Sequence, residues 1–219
     1  MIKTITLPRR TASTAALGLL LGAGLLPAVT ARAQTVGGTG FGALVNAGGL
    51  AQQSSVAVLP STGGYALGDD LAFGVPNVVA SQWLTSVTTG AVDVTRSTSQ
   101  TSSSVEAVNV LNGLIRADIV TAMASSYRTA TGAFSDADGS GFAGLVVNGV
   151  AFTGDPAPNT RIALPGVGFA VLNEQIPSGD GVTSSGITVN LIHVVLQDAL
   201  TGAQTGEIIV GSAASRVGI

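Results

Sequence analysis

The sequence predicts an all-β fold, an antiparallel β-sandwich or barrel-like single domain over residues 34–219, behind an N-terminal signal peptide at residues 1–33. Three observations predict it. After residue 33 the apolar residues alternate with polar ones, and helical spacing is nearly absent. Val, Ile and Thr fill the alternating runs, and glycine-containing turns interrupt them at short intervals. The 30 glycines disfavour helix, since each costs about 1 kcal/mol relative to Ala in a helix interior.

The first element is an export signal. Lys3, Arg9 and Arg10 form a basic head, Ala15 to Leu26 an uncharged core broken by Pro27, and Ala31-Arg32-Ala33 a small-residue cleavage site before Gln34. The apolar run is shorter than the roughly 20 residues of a spanning helix. Thr11-Ala12 follows Arg9-Arg10 where a twin-arginine signal needs a bulky apolar residue, which argues against that route.

About a dozen strands are expected downstream. Gly40 to Asn46, Ser54 to Leu59, Val78 to Thr88 and Val92 to Thr98 read as early strands, and Thr101 to Ser104 as strand edge or loop. The apolar phase of VEAVNVLNGLIRADIV changes around Asn112-Gly113, where a turn or bulge explains it. Gly141 to Val147 reads as a strand turning at Asn148-Gly149, a type I′ signal, into Val150-Ala151-Phe152. Thr160 to Leu164 and Gly168 to Glu174 follow, then a turn at Ser178 to Gly181. Ile187 to Leu196 and Gly206 to Val217 are long apolar strands joined by Asp198 to Gln204, expected as an antiparallel pair. Either one would promote assembly if it lay at a sheet edge.

Charge narrows the partners. Lys3, Arg9, Arg10 and Arg32 fall in the signal, leaving five arginines against twelve acidic residues, a formal charge of −7. Nucleic acid and anionic membranes need basic surface, so both are disfavoured. There is no cysteine, so burial and backbone pairing must replace the disulfides common in secreted domains. Hydrophobic residues at 46% make that feasible, and aromatics at only 4% leave the core to small aliphatic side chains.

Few residues here can carry chemistry, and no catalytic, metal or cofactor site is expected. His193 is the only histidine, and it lacks a G-x-S-x-G elbow to serve. It reads as a half-buried strand residue whose ring nitrogens are satisfied locally. One imidazole does not make a zinc site. Asp69-Asp70, Asp136, Asp138, Asp155 and Asp180 stand mostly beside Gly or Pro, which places them in turns. The stretch SDADGSG begins like an EF-hand at Asp136, Asp138, Ser140 and Gly141. Its twelfth position, however, is Val147, where a bidentate glutamate is required. It therefore reads as a polar loop.

The segments VEAVNVLNGLIRADIVTAMASS, GFAGLVVNGVAF, DPAPNTRIALPGVGFAVLNEQ, ITVNLIHVVL and GEIIVGSAASRV, in that order, resemble the choice-of-anchor P family, with the likeness covering most of residues 40–217. The resemblance implies an exported bacterial protein whose shared extracellular domain is attached through varied C-terminal sorting signals. It brings no catalytic or ligand residues. This chain ends GEIIVGSAASRVGI, and Leu164-Pro165-Gly166 is internal rather than an anchor motif, so free secretion, the periplasm or non-covalent attachment is expected. Scarce aromatics disfavour an outer-membrane barrel. The expected role is an exported, non-enzymatic structural or adhesive domain that partners itself or cell-envelope components. The alternative is a secreted polysaccharide-binding or hydrolytic module, calcium-dependent through Asp136 and Asp138.

Overall fold

The computed structural model describes residues 34–219, and the signal peptide assigned to residues 1–33 lies outside the described residues. Fifteen strands follow one another with no helix among the described residues, and none there is long and apolar enough to cross a membrane. They are β1 (Thr35–Ala47), β2 (Leu50–Ser54), β3 (Ala57–Val58), β4 (Gly64–Val75), β5 (Val79–Val92), β6 (Ser97–Val110), β7 (Ile115–Thr129) and β8 (Gly132–Asp136), followed by β9 (Gly141–Ala143), β10 (Val146–Val147), β11 (Val150–Ala151), β12 (Thr160–Leu164), β13 (Gly168–Gly179), β14 (Ser185–Gln197) and β15 (Gln204–Gly218).

Two antiparallel sheets pack face to face as a β-sandwich; neither closes into a barrel. The first sheet has the order β12-β13-β14-β15-β1-β2, with β3 also on β1. The second has the order β11-β10-β7-β6-β5-β4, with β8 and β9 also on β7. The main core joins them, with Val45, Leu191 and Val210 from the first sheet and Leu84, Val105 and Ile115 from the second, and a small second cluster holds Val36, Leu59, Ala133 and Val217. β14 and β15 form the expected antiparallel pair, in register at Val189↔Ala213. They lie inside their sheet, so neither offers the exposed edge on which strand-to-strand assembly would depend.

The sheets approach most closely at β1, TVGGTGFGALVNA. A Cβ on Gly38 would run into the Thr88 hydroxyl and sit 2.6 Å from Thr101 Oγ1; one on Gly42 would sit 2.7 Å from Leu84 Cδ2. Only a bare backbone fits: the Thr88 and Thr101 hydroxyls meet it at Gly38, and Leu84 fills the space at Gly42. Ser97, Ser99, Thr101 and Ser103 of β6 all face inward and are buried. Thr101 to Ser104 is therefore the interior middle of a strand rather than edge or loop. A buried hydroxyl is costly unless bonded. Ser99 Oγ donates to Gly37 O at 2.8 Å and Ser103 Oγ to Phe41 O at 2.7 Å, both across the sheets. A second chain, Ser185–Ser135–Ser126–Ser215, crosses with spacings of 2.7, 2.8 and 2.6 Å.

A transverse row of bulges crosses each sheet. In the second, Trp83 (φ 47°), Ala107 (φ 50°) and Gly144 (φ 64°) are left-handed, and the ladder skips them. Each bulge adds a residue and inverts which alternate residues face inward. Thus β5 buries Val79 and Ser81 before Trp83, then Leu84, Ser86 and Thr88 after it. Asn173 (φ 50°) and Gly211 (φ 68°) mark the row in the first sheet. The phase change expected at Asn112-Gly113 is a turn, with Leu111, Asn112 and Gly113 all at positive φ between β6 and β7.

Several expectations need correction. Ser54 to Leu59 is split by left-handed Ser55, and Gly141 to Val147 by Gly144. Val92 to Thr98 is mostly the β5–β6 turn, closed by Asp93 N–H donating to Arg96 O at 2.7 Å. Asp69 and Asp70 lie not in a turn but in β4, an edge strand whose exposure tolerates charge and glycine. β13 runs through Pro177 because it has no partner beyond Leu172 on its β12 side, where a missing N–H costs no ladder bond.

Replacing Gly38 by Ala forces a methyl into the Thr88–Thr101 pair. Unfolding in urea should show about 1–3 kcal/mol lost, the usual range for overpacking. An unchanged midpoint would contradict the close approach at β1.

Candidate functional site

The most structured polar cluster on a sheet's outer face is built around His193. β13, β14 and β15 run side by side, with Glu174 opposite Asn190 and Val195 opposite Glu207. The bulge row lets Asn190 and His193, three residues apart, both join this cluster. Glu174 Oε2 lies 2.9 Å from His193 Nδ1 and accepts from Asn190 Nδ2 at 2.7 Å. An ionised carboxylate only accepts, so Nδ1 carries a proton and donates. Asn190 Oδ1 in turn accepts from Ser212 Oγ at 2.7 Å. On the other side Nε2 stands 3.4 Å from Glu207 Oε2, an ion-pair contact without hydrogen-bond alignment.

These contacts bias both protonation states. The hydrogen bond from His193 holds the Glu174 carboxyl below its ordinary value of 4.5 against the opposing effect of burial, and Asn190 adds to it. The bond to Glu174 raises the His193 imidazole above its ordinary 6.5, again against burial, with both glutamate charges helping. The arrangement stores a proton between two acids and ties three strands together. Its partners include no hydroxyl or thiol nucleophile on the imidazole. Glu174, Asn190 and Glu207 were not singled out by sequence; only the strand register brings them to His193.

The structure distributes the carboxylates over separate elements. Asp70 Oδ2 accepts from Ser55 N–H at 2.6 Å, tying β4 to the β2–β3 break. Asp180 gathers the N–H groups of Val182, Thr183 and Ser184 and the Thr183 hydroxyl, closing the β13–β14 turn. The Thr183 hydroxyl first, then those backbone donors, depress its pKa strongly. Asp198 does the same for the β14–β15 turn through Thr201 and Leu200, and its pKa is lowered, chiefly by the Thr201 backbone N–H. Asp155 Oδ1 accepts from Phe142 N–H at 2.8 Å.

SDADGSG bridges β8 and β9 along the flank of β7. Asp136 Oδ1 accepts from Asp138 N–H at 3.2 Å. The Ser140 hydroxyl donates to Met123 O at 3.0 Å and accepts from Met123 N–H at 2.9 Å, standing in for a missing strand residue. Among the described residues no group of three or more His, Cys, Asp and Glu is placed to hold a metal ion.

Fold and site together define an all-β sandwich of two antiparallel sheets whose one imidazole staples three strands. Compared with known proteins, the chain matches no family model, no curated protein and no solved structure.

The His193–Glu174 pair stabilises the fold fully between the two unfolded values, pH 4.5 to 6.5. The contribution is lost as pH rises through the raised imidazole value, and as pH falls through the lowered carboxyl value. The melting temperature should thus decline on the alkaline side, and His193→Gln should flatten that decline; an identical profile in the variant would rule the pair out as its source. Calcium at millimolar concentration should leave the melting temperature unchanged, because Ser140 is committed to β7.

Proposed function

We propose that this chain is an exported extracellular or cell-surface β domain with a structural or adhesive role and no enzymatic activity. The signal pattern of residues 1–33 and the likeness of residues 40–217 to the choice-of-anchor P family support export and a surface setting. The observation that carries the role is the outer face of the second sheet. There Tyr65, Leu67, Leu71 and Trp83 on β4 and β5 are 61, 50, 71 and 58% exposed. Large apolar side chains grouped on a surface mark places where other molecules dock. Beside them run the hydroxyl positions Thr85, Ser104 and Thr121, one on each of β5, β6 and β7.

The non-enzymatic part of the reading is supported by His193, whose ring is engaged by glutamates on both sides. Partners of this face are further copies of the chain or components of the cell envelope. Asp69 and Asp70, adjacent in the middle of edge strand β4, oppose direct pairing of two copies of that strand through like-charge repulsion. Contact through the flat of the sheet is therefore favoured over contact through its edge.

Deleting the protein from its host should reduce attachment of cells to surfaces several-fold, and a Leu67→Ser/Leu71→Ser variant should restore little of it while keeping the native melting temperature. Unchanged attachment on deletion, with purified protein staying monomeric at high concentration in sedimentation, would overturn this role.

A further inference from the structure

Two open hollows adjoin on the outer side of the second sheet, and Asn109 lines both. One, about 340 Å³, lies at the β4–β5 hairpin and is lined by Gly74, Pro76, Asn77, Ala80 and Asn112 among others. The other, about 440 Å³, lies between β6 and β10 and is lined by Arg116, Asp118, Gly144 and Val146. Together they cross the neighbouring strands β4, β5, β6, β7 and β10, about 19 Å at ordinary interstrand spacing. The bulge row shapes the second hollow. Asp118 sits directly over Gly144, where a Cβ would come within 2.6 Å of its Cγ. Trp83 stands three residues along β5 from Ala80, about 10 Å away, and its indole is 58% exposed.

We propose that these hollows form a binding groove for a neutral, hydroxyl-rich oligosaccharide chain, an assignment that rests on the adhesive reading of this face and names its partner. Three kinds of observation converge. The side-chain amides of Asn77, Asn109 and Asn112 and the charged ends of Arg116 and Asp118 make no hydrogen bond to any described residue. Planar amide, carboxylate and guanidinium groups offer paired donors and acceptors at the spacing of neighbouring sugar hydroxyls. Between them, Ala80 and Val146 supply apolar floor for the C–H faces of the rings. Trp83 adds a stacking platform, held outward by a left-handed backbone (φ 47°) that a bulky residue rarely adopts. One arginine and one aspartate in the same hollow balance, while the acidic excess of the chain disfavours anionic polymers.

Trp83 is the only tryptophan in the sequence, so its fluorescence reports on this site alone. The test titrates the exported protein with cellohexaose, maltohexaose and laminarihexaose, with polygalacturonate as the anionic control. The expected result is a saturable change in tryptophan emission with at least one neutral hexasaccharide and none with polygalacturonate. Asn109→Ala and Arg116→Ala, both at exposed positions and both retaining Trp83, should each weaken binding at least tenfold with the melting temperature unchanged. No saturable change with any neutral probe, equal binding of polygalacturonate, or full affinity in both variants overturns the groove. If deletion abolishes attachment while no hexasaccharide binds, the groove falls and the adhesive role stands. If a hexasaccharide binds in the groove while deletion leaves attachment intact, the groove stands and the adhesive role falls.

Discussion

The distance between the sheets at β1 constrains everything packed around it. Gly42 makes room for Leu84, while Gly38 and Gly40 present bare backbone to β5 and β6, so the side chains facing those two must be short. They must also be able to bond, because a strand backbone offers carbonyl lone pairs beyond those its ladder uses. Serine and threonine satisfy both demands. Alanine would fit but leave Gly37 O and Phe41 O without their cross-sheet donors, and valine or leucine would wedge the sheets apart. Each such bond is worth only about 1 kcal/mol net. In a chain without cysteine, the cross-sheet hydroxyl chains are less a source of strength than of register, since a one-residue slip of β6 would turn the whole hydroxyl row to solvent.

This constraint also explains which parts of the fold could be read from sequence. β14 and β15 were legible because they are long, apolar and inside their sheet, with an inward face of aliphatic residues. Asn148-Gly149 and Asn112-Gly113 were legible because positive φ at two successive residues selects Asn and Gly. The serine run Thr101 to Ser104 was not, because its inward face is polar and local polarity reads as exposure. β4 was missed for the opposite reason, since an edge strand needs no apolar alternation to be held by a single partner. The glutamates around His193 lie far from it in sequence and could be assigned only once the strand register was known. The amide-lined hollows are equally invisible in sequence, since Asn77, Asn109 and Asn112 look like ordinary turn and strand-end residues.

The bulge rows link the interior to the surface. Inserting one residue in each neighbouring strand preserves the ladder but inverts which alternate residues face inward. In β6 the buried residues are Ser99, Thr101, Ser103 and Val105 before Ala107, and Val108 and Val110 after it. The same insertions bend the strands and open the outer surface, and the hollow over Ala107, Asp118 and Gly144 sits on that line. Trp83 lies on it as well. An insertion that resets the inward face of each strand thus also creates relief on the outer face.

The two outer faces then differ in kind. On the first sheet the polar groups are spent on one another: Ser212, Asn190, Glu174, His193 and Glu207 form a continuous chain across β13, β14 and β15. Such a network fixes strands and leaves few groups free to recognise anything. On the second sheet the polar groups around Asn109 bond to no described residue, and the large apolar side chains beside them remain open to solvent. Ordering groups for recognition costs conformational entropy unless a rigid scaffold already holds them. Five paired strands supply that scaffold. Under the role proposed above, stability would rest on one face and contact on the other.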